Sequence, residues 1–230
     1  VLEGGTHNVM APPFDFIERA FLPLMDRMGP RVAARAERLG FYPGGGGRVV
    51  VDIEPAARLG PLHVLERGAP VSRRGTALIA RLPVHIAERE LGVLAEVLGW
   101  ASDDLVVRDA SSRSGPGNAV LVELAFEQVT EVFSAIGARG RPAEAVAQQA
   151  ASEARAYLQS GAPVGPHLAD QLLLPLALAG AGSFRTVPLT EHSVTNMRTI
   201  GRFLPVRFRT RAEGPDVLVM AGSDEPGGGR

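Results

Sequence analysis

Apolar residues recur at helical spacing after Pro12-Pro13. Phe14, Ile17, Phe21, Leu24, Met25 and Met28 fall on one side of a helix and predict a buried stripe. Pro13 suits the first helical turn, where its missing N–H costs nothing. Ahead of it, residues 1–8 read as the end of a strand and a glycine turn. A second short helix is expected over 32–39, stopping at Gly40, and the run Gly44-Gly45-Gly46-Gly47 leads into a continuous apolar strand at 49–53. Next come a strand at 76–82 and an amphipathic helix at 84–98 bearing Ile86, Leu91, Leu94 and Leu98. A Ser/Gly-rich loop at 111–118 precedes strands at 119–126 and 131–136 and a long helix at 143–158, with Pro142 in its first turn. The last part predicts a helix at 167–179, a strand at 184–187, a helix at 194–203 and strands at 206–210 and 217–220. The tail beyond Gly222 reads as disordered.

The middle block has its own strand-helix-strand-strand-helix complement, and it is bounded by the joints Gly68-Ala69-Pro70 and Gly161-Ala162-Pro163. It reads as an inserted module at 68–160 between two parts of a main body at 1–67 and 161–230. No apolar run approaches the length of a membrane span; the leucine-rich piece at 172–178 is short and interrupted by Pro175. There is no signal peptide and no cysteine, which suits a cytoplasmic protein. The chain opens directly into Val1-Leu2-Glu3 without an initiating methionine and reads as a fragment.

Composition narrows the chemistry. All 24 basic residues are arginine, so lysine amine chemistry and the lysine of a Walker phosphate loop are excluded, as is thiolate chemistry. Covalent chemistry then falls to histidine, serine, threonine or a carboxylate. His192, in the segment His192-Ser193-Val194-Thr195-Asn196, is the best placed of the five histidines. Imidazole is a base at neutral pH and a nucleophile toward phosphorus, and a helix start with arginines nearby would hold a phosphate. A lone histidine at a helix start is more often a cap or a surface residue. In His167-Leu168-Ala169-Asp170-Gln171, helical spacing gathers His167, Asp170 and Gln171 on one face near a helix start, where an anion is favoured. The residues alone favour a capping role over nucleotide binding. Five arginines and no acid lie between Arg198 and Arg211, and alternation puts Arg207, Arg209 and Arg211 on one strand face. That strip suits phosphate or nucleic acid, and equally a solvated face. The glycine run precedes a strand and lacks a following Lys-Ser/Thr, so a tight turn suits it better than a phosphate cradle. The histidines show no pairing at metal-ligand spacing.

Several segments in order resemble the RNA 3′-terminal phosphate cyclase family. They are Gly4-Gly5-Thr6-His7-Asn8 with Ala11-Pro12-Pro13-Phe14-Asp15-Phe16, the glycine signature Gly40-Phe41-Tyr42-Pro43-Gly44-Gly45-Gly46-Gly47, and Ala87-Glu88-Arg89-Glu90. Gly115-Pro116-Gly117-Asn118, Leu168-Ala169-Asp170-Gln171-Leu172 with Pro175, and Arg202-Phe203-Leu204-Pro205-Val206-Arg207-Phe208 complete the set. The resemblance implies an α+β fold of repeated units, each with two helices packed on a four-stranded sheet as in enolpyruvyl transferases, with an inserted thioredoxin-like module.

It also implies a chemistry. A histidine attacks the α-phosphorus of ATP with a divalent metal (Mg²⁺ or Mn²⁺) and forms a histidine-AMP; AMP passes to an RNA 3′-phosphate, and the 2′-hydroxyl closes a 2′,3′-cyclic phosphate. The family's histidine aligns with His192, and its nucleotide-contacting positions align with Pro13, His167, Asp170 and Gln171. His167 stands where some members carry tyrosine, and Leu39 replaces the basic residue that usually opens the glycine signature. The family's substantial portion before Gly4, with an acidic metal ligand and phosphate-holding arginines, has no counterpart here, so the 230-residue chain alone is expected not to complete cyclisation. Two other classes compete: a non-catalytic relative that binds RNA or assists ribosome assembly, and a small-molecule transferase of the same architecture. Retention of His192, Asp170 and Gln171 argues against the first, and the adenylation motif against the second.

Overall fold

In the computed structural model, which describes residues 1–110 and 115–223, the stripe opening at Phe14 winds into one helical segment. It comprises α1 (Phe14–Phe16), a π-helical turn (Ile17–Phe21) and α2 (Leu22–Arg27). Phe16, Ala20, Leu24 and Met28 are its fully buried line, while Ile17, Phe21 and Met25 pack at the margin. The wide π turn keeps every fourth residue in register, which is why Phe16 and Ala20 join a stripe expected to run through Ile17 and Phe21.

Three sheets form among the described residues. The first is antiparallel, with β1 (Leu2–Gly4) and β2 (Arg31–Arg38) flanking β3 (Gly47–Glu54). The second runs β10 (Val206–Glu213), β11 (Asp216–Ser223), β9 (Ala181–Thr186), β4 (Leu62–Val64), with β4 parallel to β9. The third runs β6 (Leu105–Asp109), β5 (Pro70–Ala80), β7 (Gly117–Phe126), β8 (Thr130–Ile136), with β6 parallel to β5 and the rest antiparallel. Between them run α3 (Val84–Leu98), α4 (Ala143–Gln159), α5 (Pro166–Ala179) and α6 (Glu191–Phe203). This is a mixed α+β architecture. No helix among the described residues is long and apolar enough to cross a membrane.

Two main cores meet at β8. Phe133 and Ala135 point into a core with Leu94 of α3, Val120 and Val122 of β7, and the alanine face of α4. Val132, on the other face, joins the core that α5 builds with Leu168, Leu172 and Leu176 against Phe16, Leu24, Phe184 and Val219. Each fully buried leucine there contributes about 2 kcal/mol. Close backbone approach sets the glycine positions at the edge of the first sheet: a Cβ on Gly40 would lie 2.4 Å from the Gly47 nitrogen and 2.5 Å from the Gly4 carbonyl oxygen.

The expected helix at 32–39 is a strand instead. Val32, Ala34 and Ala36 alternate inward with exposed Arg31, Ala33 and Arg35, and the segment pairs along β3. The helix-favouring Ala, Arg and Glu were overridden by this sheet pairing. Strands β4 and β6 were not expected, β5 begins at Pro70 rather than 76, and α6 begins three residues before the expected 194. Pro13 caps the helical segment rather than entering its first turn. The helix α5 runs unbroken past Pro175. Residues 111–114 of the Ser/Gly-rich loop and the tail from 224 lie outside the described residues.

The start of α5 is tied to β8 by a buried acid. Glu131 accepts a hydrogen bond from the backbone N–H of Gly165, the N-cap of α5, at 2.6 Å. Burial pushes its carboxyl up to about 8 from an ordinary 4.5. Folding therefore tightens proton binding, and the native state loses stability as pH rises from about 4.5 to about 8, at up to about 1.4 kcal/mol per pH unit. Glu131→Gln keeps an acceptor for Gly165 and removes this titration. The urea midpoint of the variant should gain on that of the parent as pH rises through this window; parallel midpoints across it would show that Glu131 is already ionised in the fold.

Candidate active site

Two helix starts converge on one cavity. Gly165 and Pro166 open α5, so His167, Asp170 and Gln171 occupy its first turns on the side away from the buried Leu168 and Leu172. Thr190 caps α6: its hydroxyl accepts from the Ser193 N–H at 3.1 Å, which fixes His192 as the second helical residue. The loop before Pro13 and the Ser134 face of β8 complete the walls of a space of about 420 Å³. That is the size range of small-ligand sites. Pro13, His167, Asp170, Gln171 and His192, all singled out in the sequence, line this one cavity.

His192 and Asp170 are in direct contact, with Nδ1 3.0 Å from Oδ1. The imidazole is 80% exposed and the carboxylate 12%, so the ring is presented outward from a largely covered anchor. The anchor is itself held, because Asn196 Nδ2 donates to Asp170 Oδ1 at 3.0 Å and to its backbone carbonyl at 3.4 Å. A carboxylate only accepts, so Nδ1 donates to Asp170, and in the neutral ring Nε2 keeps the lone pair. This contact fixes the orientation of the His192 ring on Asp170. Gln171 Nε2 lies 3.4 Å from Asp170 Oδ2.

His167 pairs with Glu153 of α4, Nε2 to Oε2 at 3.4 Å. This hydrogen bond raises the imidazole above its ordinary range against the opposing effect of burial, and nearby Glu131 and Asp170 add to the rise. Glu153 is correspondingly lowered despite its own burial. Arg141 also lines the cavity, and among the described residues its guanidinium donates to neutral oxygens: the carbonyls of Ile136 and Ala145 and, at 2.8 Å, Gln149 Oε1. Arg141 and the starts of α5 and α6 thus bring positive charge to a lining that also holds the carboxylates of Glu153 and Asp170. Among the described residues no three His, Asp or Glu side chains group as metal ligands.

Asn196, Glu153 and Arg141 were not expected at the site. Asn196 carried a readable signal, lying four residues beyond His192 on the same helix face. Glu153 and Arg141 arrive from α4 and the turn before it, and nothing local in the sequence marks them.

The family model for RNA 3′-terminal phosphate cyclase matches residues 1–210. The chain belongs to this family. It is 46% identical over 213 residues to the RNA 3′-terminal phosphate cyclase of Koribacter versatilis, covering 93% of this chain and 60% of that protein. It is 50% identical over 207 residues to the enzyme so named from Ectopseudomonas mendocina, covering 90% and 60%. The Salmonella enteritidis protein of that name is 45% identical over 218 residues, covering 95% and 64%. The chain therefore spans about three fifths of the length of the relatives it matches.

The pairing of His167 with Glu153 gives a direct check on this geometry. Glu153→Gln should lower the titration midpoint of the His167 ring, followed by NMR of its carbon-bound protons. An unchanged midpoint would show that the two side chains do not meet in solution.

Proposed function

We propose that the protein containing this chain converts an RNA 3′-terminal phosphate to a 2′,3′-cyclic phosphate at the expense of ATP, with His192 as nucleophile. The observation that carries the reading is the Nδ1–Oδ1 contact of 3.0 Å between His192 and Asp170 at the mouth of a cavity open to ligand. Membership of the cyclase family supplies the reaction class.

The chemistry follows from the tautomer. Nε2 of His192 attacks the α-phosphorus of ATP; the N–P bond forms as the bond to the bridging oxygen breaks, and pyrophosphate leaves. Asp170 stabilises the cationic ring that develops, as an oriented carboxylate does in other histidine-centred sites. Arg141 and the two helix starts face the phosphate charge. Pro13 and the His167 ring offer surface to the base, and Gln171 offers an amide to the nucleotide. An oxygen of the RNA 3′-phosphate next displaces His192 from the adenylate, and the RNA's 2′-hydroxyl then attacks that 3′-phosphorus, releasing AMP and closing the ring. A divalent metal, Mg²⁺ or Mn²⁺, is proposed to accompany ATP, where it would neutralise charge on the phosphates.

In the same reading, residues 68–160 are a thioredoxin-like insert and residues 1–67 and 161–230 belong to a body of repeated two-helix, four-stranded units. Support comes from the sheet β6-β5-β7-β8, which draws all its strands from within that middle block. The protein is proposed to work in the cytoplasm, where RNA ends and ATP occur together.

Incubating the protein with ATP labelled in the α-phosphate should give an acid-labile, alkali-stable adduct, as a phosphoramidate requires. His192→Asn should abolish it. Persistence of the adduct in that variant would reassign the nucleophile. Asp170→Ala should cut adduct formation by roughly two orders of magnitude, the scale of a lost electrostatic contact, with thermal unfolding nearly unchanged because Asp170 lies outside both cores. A large drop in melting temperature with adduct formation intact would make Asp170 a folding residue instead.

A further inference from the structure

Three family-like segments take no part in the chemistry above, and the fold brings them together. The glycine signature contributes Tyr42 and Pro43, the segment at 115–118 contributes Gly117 and Asn118, and the segment at 87–90 contributes Arg89 to the lining of a second cavity of about 470 Å³. Its remaining wall is the turn between β8 and α4, which includes Arg139 and Arg141. Arg141 also lines the first cavity, so the two spaces adjoin across a single side chain.

The site is built rather than incidental. A Cβ on Gly117 would fall 1.9 Å from the Phe41 ring, and one on Gly137 would fall 2.1 Å from the Asn118 side-chain oxygen. Both glycines let the walls close on these side chains. Asn118 is buried and locked, its amide donating to the Leu78 carbonyl and, at 2.9 Å, to Glu90 Oε2. Glu90 is itself fully buried and leaves its other oxygen without a partner.

Charge points to the occupant. No carboxylate is among the described residues that line this cavity. Arg89 is neutralised by a two-pronged pair with Glu144, at 2.6 and 2.7 Å. Arg141 has only neutral oxygens as acceptors, and Arg139 makes no ion pair among the described residues. Beside this uncompensated positive charge stand an apolar strip, Leu82 and Ile86, and the ring of Tyr42, which is 77% exposed. Arginine for phosphate together with an open aromatic ring for a base is the combination that holds single-stranded nucleic acid.

We propose that this second cavity holds the nucleotide preceding the reacting end of the RNA, with its phosphodiester on Arg139 and Arg141 and its base against Tyr42. The inference rests on the reading given under Proposed function, since it is the RNA end at His192 that places a preceding nucleotide here. The strand passes over Arg141 from one cavity to the other. Tyr42 and Arg139 are then specificity-determining residues for polymeric substrate, with no part in the attack on ATP.

Full-length protein, Tyr42→Ala and Arg139→Gln should form the histidine adduct with ATP at equal rates. Anisotropy of a fluorescent decanucleotide ending in a 3′-phosphate should show about tenfold weaker binding for each variant, the scale of one lost stack or phosphate contact. Arg139→Gln should also reduce the salt dependence of binding. In turnover the loss should appear in KM for the decanucleotide and not in kcat, and KM for a nucleoside 3′-phosphate should not change. Equal RNA affinity of parent and variants overturns the assignment, whether or not adenylation occurs. An equal loss for the decanucleotide and the mononucleotide also overturns it, because it marks a general disturbance. Absence of the adduct from the parent protein would instead sink the functional reading, and the anisotropy comparison would still decide whether this cavity holds RNA.

Discussion

Strand β8 is buried on both faces, and this constraint organises the molecule around it. Phe133 and Ala135 are committed to the α3/α4 core and Val132 to the α5 core. A slip of one residue would exchange the two sets, placing Glu131 and Phe133 where Val132 and Ser134 now sit. Because both cores fix the same register, the cavity wall made by Ser134 and Ile136 has little freedom. Glu131 extends the constraint to the neighbouring helix by holding the Gly165 N–H. A side chain at Gly165 would crowd the carboxyl of Glu131 at about 3.1 Å, so strand and helix start are matched as a pair.

The site itself lies where buried packing gives way to polar closure. Leucines on one side of α5 anchor it in the core, and the other side presents Asp170 to His192. The helix is thus rigid for reasons unrelated to chemistry, and the imidazole inherits that rigidity through one hydrogen bond. Asn196 adds a second tether from α6. Preorganisation of this kind lets an exposed ring hold a single tautomer and orientation without being buried.

Much of the fold was legible because strong periodicity and proline or glycine punctuation agree with the tertiary environment. The helix at 84–98 has the expected bounds, lying between Pro83 and Gly99, and β7 and β8 lie within two residues of their expected starts. The segment at 31–38 was misread because its Ala, Arg and Glu favour a helix in isolation, and only the partner strand β3 selects an extended backbone. Strand β4 is only three residues long, and β6 lacks clear alternation, so little local signal announces either. The candidate site residues were singled out one by one from helix starts and family-like segments. Their meeting in one cavity was not readable, because Asp170 and His192 belong to different helices and touch only through the packing of α5 on α6.

Arg141 has a consequence beyond position. One guanidinium, without a carboxylate partner among the described residues, borders both cavities. Anions seated on its two sides draw on the same charge and also repel one another, so occupancy of one side weakens the attraction available to the other. By thermodynamic linkage the penalty is mutual and equal in size whichever anion arrives first. A protein arranged this way favours an ordered exchange, in which a departing anion on one side strengthens the hold on its neighbour.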